Sequence, residues 1–130
     1  LLSDGVPHLA VAVAGASAHV GPFVLPGRSA CLWCLDQRRR DQDAAWPGVA
    51  DQIRLRHHRA STSLGTAAAA AAALAVGHLL QLVDDPGAMP LSVDAQLVLR
   101  SPDLVAERVR MVAHPVCGCG WAATTSTMVG

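Results

Sequence analysis

The chain contains no tyrosine, no lysine, one phenylalanine and a single glutamate among 130 residues. So few aromatic rings leave no stacking platform for nucleic-acid bases. Ten Arg balance nine Asp and one Glu, and the formal net charge of zero removes any global field that would draw in nucleic acid or an anionic membrane. The arginine-for-lysine and alanine bias reads as GC-rich coding. The chain opens on Leu1 rather than Met and is read as an excised or truncated piece of a longer protein. What the chain does have is apolar bulk: 52% hydrophobic residues and a mean hydropathy of +0.33 suit one packed domain and argue against disorder.

Cysteine is also scarce, and its placement is the strongest signal. The four cysteines form two close pairs, Cys31 and Cys34 in CLWC and Cys117 and Cys119 in CGCG, with 82 residues between the pairs. Four thiolates in two knuckles match the tetrahedral, redox-silent demands of structural zinc. Gly118 and Gly120 give the tighter second pair its backbone freedom. His114 is a reserve ligand, three residues before Cys117. Two disulfides, or a redox Cys-x-x-Cys, are the alternatives.

The pattern of apolar residues predicts an α/β domain. Val6 to Val13 reads as a strand buried on both faces, as in a parallel sheet. His19 to Leu25 reads as a second strand, placed at an edge or bulged by Pro22. Ser29 is expected to cap a helix carrying Cys31 and Cys34, with Asp36 and Arg40 paired along it and Arg38, Arg39 and Arg40 on its solvated face. Trp46 to Arg59 is expected to be a short helix and a basic loop, with His57 and His58 on the surface. Ser61, Thr62 and Ser63 cap a long helix from Leu64 to Val83, whose seven consecutive alanines favour a buried helix against the first strand. Its length would also span a bilayer, but Gly77, His78 and Gln81 interrupt it. Leu91 to Leu99 and Leu104 to Val112 read as a hairpin with one wet face, and residues 122–130 as a flexible tail.

These residues resemble the C-terminal half of a ThiF-type domain, the ubiquitin-activating-enzyme-like superfamily that includes MoeB. The likeness is carried by VPHLAVAV, VGPFVLPGRSACLWCL, the Ala-rich helix after STSLG, and HPVCGCG. It implies a partial domain over residues 1–121: the half of a Rossmann-like fold without its nucleotide-binding part, with a mixed sheet, an antiparallel hairpin and a zinc staple at Cys31, Cys34, Cys117 and Cys119. The wording VGPFVLPGRSACLWCLDQRRRDQDAAWP is closest to the actinobacterial subgroup of thiazole/oxazole-modified peptide biosynthesis. There the resemblance implies a cytoplasmic protein that binds a precursor leader peptide and supports a YcaO-type cyclodehydratase. It implies no membrane or nucleic-acid partner, and it is compatible with a homodimer. No G-x-G-x-x-G turn is present, so ATP and Mg(2+) would enter only through residues upstream, and no catalytic residue is carried over. A full-length adenylating enzyme of the sulfur-carrier class and a noncatalytic zinc-stapled interaction module are the alternatives; a zinc-bound nucleic-acid module is disfavoured by the charge.

Overall fold

A computed structural model describes residues 1–48 and 65–120. Strand β1 (His8–Ala14) turns through Gly15 and Ala16 into β2 (Ser17–Val24). Helix α1 (Leu32–Gln42) follows, then helix α2 (Gly65–Asp84), strands β3 (Ala95–Arg100) and β4 (Ala106–Arg110), and one 3-10 turn at Gly118–Gly120. The expected caps at Ser61, Thr62 and Ser63, the basic loop with His57 and His58, and the tail lie outside the described residues.

All four strands are antiparallel, in the order β1-β2-β3-β4. This corrects the expectation of a mixed sheet with a parallel-type first strand. A two-residue hairpin joins Ala14 to Ser17 around Gly15 at φ 58, and so short a connection permits only antiparallel pairing. β1 is therefore an edge strand, and Val11 is 46% exposed. The interior position falls instead to β2, where Val20, Pro22, Phe23 and Val24 are fully buried. Pro22 is accommodated by a bulge: Gly21 and Pro22 together oppose the single residue Ala10 between the pairs Leu9 with Phe23 and Val11 with Val20.

Helix α2 lies across β1, β2 and β3. Ala67, Ala71 and Ala75, spaced one turn apart, pack on Ala18, Val20, Leu97 and Leu99, with Leu9 and Val13 at the margin. Alanine is the right size here, because it lets the helix axis come close to the sheet. The helix packs on the sheet and against the first strand as expected, but along one face alone, and Val76, Leu80 and Val83 on the rest of it are exposed. The helix is long and apolar enough to cross a membrane by length and composition, the one such helix among the described residues. Further along the face that carries Ala71 and Ala75, the half-buried His78 brings Nδ1 to 2.7 Å from the buried Ser92 hydroxyl, fastening α2 to the loop before β3.

The hairpin forms, but shorter than its pattern. Leu91 to Asp94 are turns, and Ala95, Leu97 and Leu99 face the core as the alternation requires. β4 is exposed along its whole length, because it lies beyond the reach of α2, and Val105 and Val109 are not core residues. Of that arm only Met111 is buried, and it packs against the cysteines.

Candidate metal centre

The first knuckle begins where β2 ends. Leu25 to Ser29 form a tight turn: Gly27 takes φ 76, and the Ser29 N–H donates to the Leu25 carbonyl at 3.1 Å. The Ser29 hydroxyl accepts the Leu25 N–H at 2.8 Å. Ser29 therefore locks the turn and does not cap the helix, a correction that follows from its being spent on its own turn. Cys31 occupies the cap position in extended backbone, with no side-chain cap bond, and Cys34 sits in the first turn of α1. An extended residue followed by a helical turn points both sulfurs to one side, and Cys31 Sγ and Cys34 Sγ are 3.7 Å apart.

The second knuckle turns at His114, whose carbonyl accepts the Cys117 N–H at 2.9 Å. Cys119 follows in the 3-10 turn. The two knuckles meet with Cys31 Sγ at 3.5 Å from Cys117 Sγ and Cys34 Sγ at 3.3 Å from Cys119 Sγ. All four sulfurs lie within 4.8 Å of one another. Bonds of about 2.3 Å from zinc to sulfur set the edges of a regular tetrahedron at about 3.8 Å, close to the spacings here. A disulfide needs about 2.05 Å, and all four thiols are free. Four soft donors in a compact set therefore fit a thiophilic ion such as zinc.

Cys31, Cys34 and Cys119 are buried among Val24, Ala30 and Met111, and Cys117 is half-buried. Burial acts to raise the Cys34 thiol, but backbone hydrogen bonds at Cys31 and His114, with contacts from the Cys119 and Cys117 thiols, outweigh it and bring it down to about 7. Burial pushes the Cys117 and Cys119 thiols up. A positive ion at the centre would favour the thiolate forms and let the cluster shed its protons together.

His114 is not drawn into the thiol cluster. Its Nε2 is 2.6 Å from Asp41 Oδ2 on α1, and its Nδ1 accepts the Val116 N–H at 3.2 Å. Both ring nitrogens are engaged in holding the second knuckle against the first helix. The arginine run is likewise more than a solvated face. Arg38 donates to the Val112 carbonyl at 2.9 Å, Arg39 lies 4.7 Å above the Trp46 ring, and Arg40 pairs with Asp36 at 3.1 Å as expected. Trp46 in turn donates to Asp36 at 2.7 Å.

One organising residue escaped the sequence. Asp94 accepts the Ala30 N–H on its carboxylate at 2.7 Å, and its carbonyl accepts the Met111 N–H at 2.8 Å. A single residue thus ties the approach to the first knuckle to the approach to the second. It sits at φ 51, a left-handed backbone that Asp tolerates better than most side chains. The only hint was its polarity inside an alternating strand.

No family model and no curated protein matches the chain. Solved structures do. Escherichia coli MccB with ATP is similar at 20% identity and a TM-score of 0.65, over 91% of this chain and 32% of that one. The microcin C7 biosynthetic enzyme MccB in complex with N-formylated MccA gives 19% identity and a TM-score of 0.66, over 92% and 35%. A heterocyclase in complex with substrate and cofactor gives 19% and 0.63, over 92% and 18%. The chain spans about a third of the length of the MccB structures it matches. The resemblance first carried by VGPFVLPGRSACLWCL and HPVCGCG holds at the level of the fold, across more than nine-tenths of the chain.

Proposed function

We propose that this chain is the zinc-stapled part of a ThiF-like, Rossmann-related component of ribosomal peptide natural-product biosynthesis, binding a precursor leader peptide and supporting a YcaO-type cyclodehydratase in the cytoplasm. The observation that carries the reading is the pair of fold neighbours: one is a microcin biosynthetic enzyme bound to MccA, the other a heterocyclase bound to its substrate. Cys31, Cys34, Cys117 and Cys119 would hold the ion. Zinc in an all-cysteine set supplies a cross-link and no open coordination position, so its part is structural. Within that reading, the residues of the chain set the shape: Asp94 and His114 fix the two knuckles, and the sheet carries α2. Any adenylation, with its ATP and Mg(2+), would depend on residues other than these.

The test is binding of fluorescein-labelled peptides, synthesised from short reading frames beside the gene, to the zinc-loaded protein. Saturable binding by one of them, lost when the peptide's leader is scrambled, is expected. Failure of every such peptide to bind a folded, zinc-loaded protein overturns the reading. The noncatalytic interaction module gains from the same cysteine geometry, and pyrophosphate exchange with ATP separates it from an adenylating enzyme.

A further inference from the structure

The turn that leads into the first knuckle is also the common wall of two cavities. One, of about 280 Å³, is lined mainly by Pro7, Leu25, Pro26, Leu82 and Pro86. The other, of about 400 Å³, is lined by Ser29, Asp94, Arg110, Met111 and Ala113 among others. Arg28 lines both, so a proline-lined hollow and a cleft that holds Asp94 and Arg110 meet at one exposed guanidinium-bearing residue. We propose that this groove binds an extended peptide segment that places an apolar side chain in the proline-lined hollow and a neighbouring carboxylate between Arg28 and Arg110.

Three features on the molecule support it. The first is the placement of charged groups beside apolar lining. Proline and leucine faces give an apolar side chain a place to leave water, while two arginines give a planar anion paired donors. Asp94 is the carboxylate in the cleft, and one of its oxygens is already taken by the Ala30 N–H at 2.7 Å. The cleft therefore carries two cations against one partly committed anion, which favours an acidic ligand over a basic one.

The second feature is preorganisation. The backbone at Arg28 is held by its own N–H donating to the Leu25 carbonyl at 2.9 Å, by Gly27 at φ 76 and by the Ser29 hydroxyl. A ligand that meets a fixed turn loses less free energy to ordering the protein. The third is continuity with the thiol cluster. Ala30 and Met111 belong both to the cleft wall and to the packing around Cys31, Cys34 and Cys119. An ion on the cysteines would hold both walls of the cleft in register, so metal loading and peptide binding would be linked.

The inference deepens the peptide-binding reading above and rests on it for the origin of the ligand. Its test uses the whole zinc-loaded, 15N-labelled chain and a defined probe, acetyl-Gly-Leu-Glu-Glu-Gly-amide, followed by amide shift perturbation. Shifts are expected at Gly27, Ser29, Ala30, Val112 and Ala113. Replacing both Glu of the probe with Gln, or its Leu with Ser, should weaken binding. Arg28→Glu and Arg110→Glu should each weaken it by about tenfold or more, the scale of a lost charged hydrogen bond. Both side chains are exposed, so these variants fold, and an unchanged thermal midpoint checks it. Equal affinity for the Gln probe, unchanged affinity in both arginine variants, or shifts confined to other surfaces overturns the groove. A precursor peptide that binds without moving these amides removes the groove and leaves the peptide-binding reading intact. A probe that binds here while no precursor binds does the reverse.

Discussion

Cys34 and Cys119 bring their sulfur atoms to 3.3 Å although they are 85 positions apart in sequence. The contact closes a loop that holds most of α1, all of α2 and the β3-β4 hairpin. Closing so long a loop costs conformational entropy, and the binding free energy of an ion held by these thiolates would offset that cost only while its ligands are intact.

Cys119→Ser and Cys34→Ser are accordingly expected to abolish stoichiometric zinc. Elemental analysis of the purified chain should give one zinc per molecule, and well below half in either variant. The thermal midpoint should fall by about 10 °C or more, since structural zinc contributes several kcal/mol and each one shifts a small domain by several degrees. A zinc-free parent protein with an unchanged midpoint after chelation would remove the metal centre.

Gly21 admits no side chain. It takes φ 113, and a Cβ there would stand 2.4 Å from the Ala95 carbonyl oxygen, which is backbone and cannot step aside. Gly21→Ala is expected to destabilise the fold by about 3 kcal/mol, read from the urea midpoint. A loss within about 0.5 kcal/mol would mean that β2 and β3 do not approach as described.

The two faces of α2 should respond differently. Ala71 is fully buried against the sheet, so Ala71→Leu overpacks the contact and should cost about 1–3 kcal/mol. Leu80 is 54% exposed, and Leu80→Gln should stay within about 0.5 kcal/mol. Equal effects in chemical denaturation of the two variants would reverse the assignment of the packed face.

Stability should fall on mild acidification. Burial holds the His78 imidazole below its ordinary value of 6.5, beside the Ser92 hydroxyl, and burial does the same to His19. A depressed folded value means that the unfolded chain binds the proton more readily. The histidine contribution is therefore full above about pH 6.5 and is lost as pH falls toward the folded value. The urea midpoint measured from pH 7.5 down to 5.5 should drop, and His78→Gln should flatten the slope. A flat profile in the parent protein contradicts the burial of both rings.

The extent of the long helix, the existence of the hairpin and the pairing of the cysteines were legible in the residues themselves. Each rests on local physics: alanine propensity and a terminating Asp-Asp-Pro-Gly, alternation with a period of two, and thiols at knuckle spacing. The resemblance at the level of the fold was legible for the same reason, because its motifs are contiguous. What local pattern could not decide was direction and coverage. VPHLAVAV is equally apolar in a parallel interior or at an antiparallel edge, and the two-residue turn at Gly15 and Ala16 selected the edge. Val76, Leu80 and Ala71 lie on one apolar helix, and only the placement of the sheet determined which of them is buried. Asp41, Asp94 and His114 became joints of the knuckles through partners 64 to 73 positions away, contacts that depend on the folded chain.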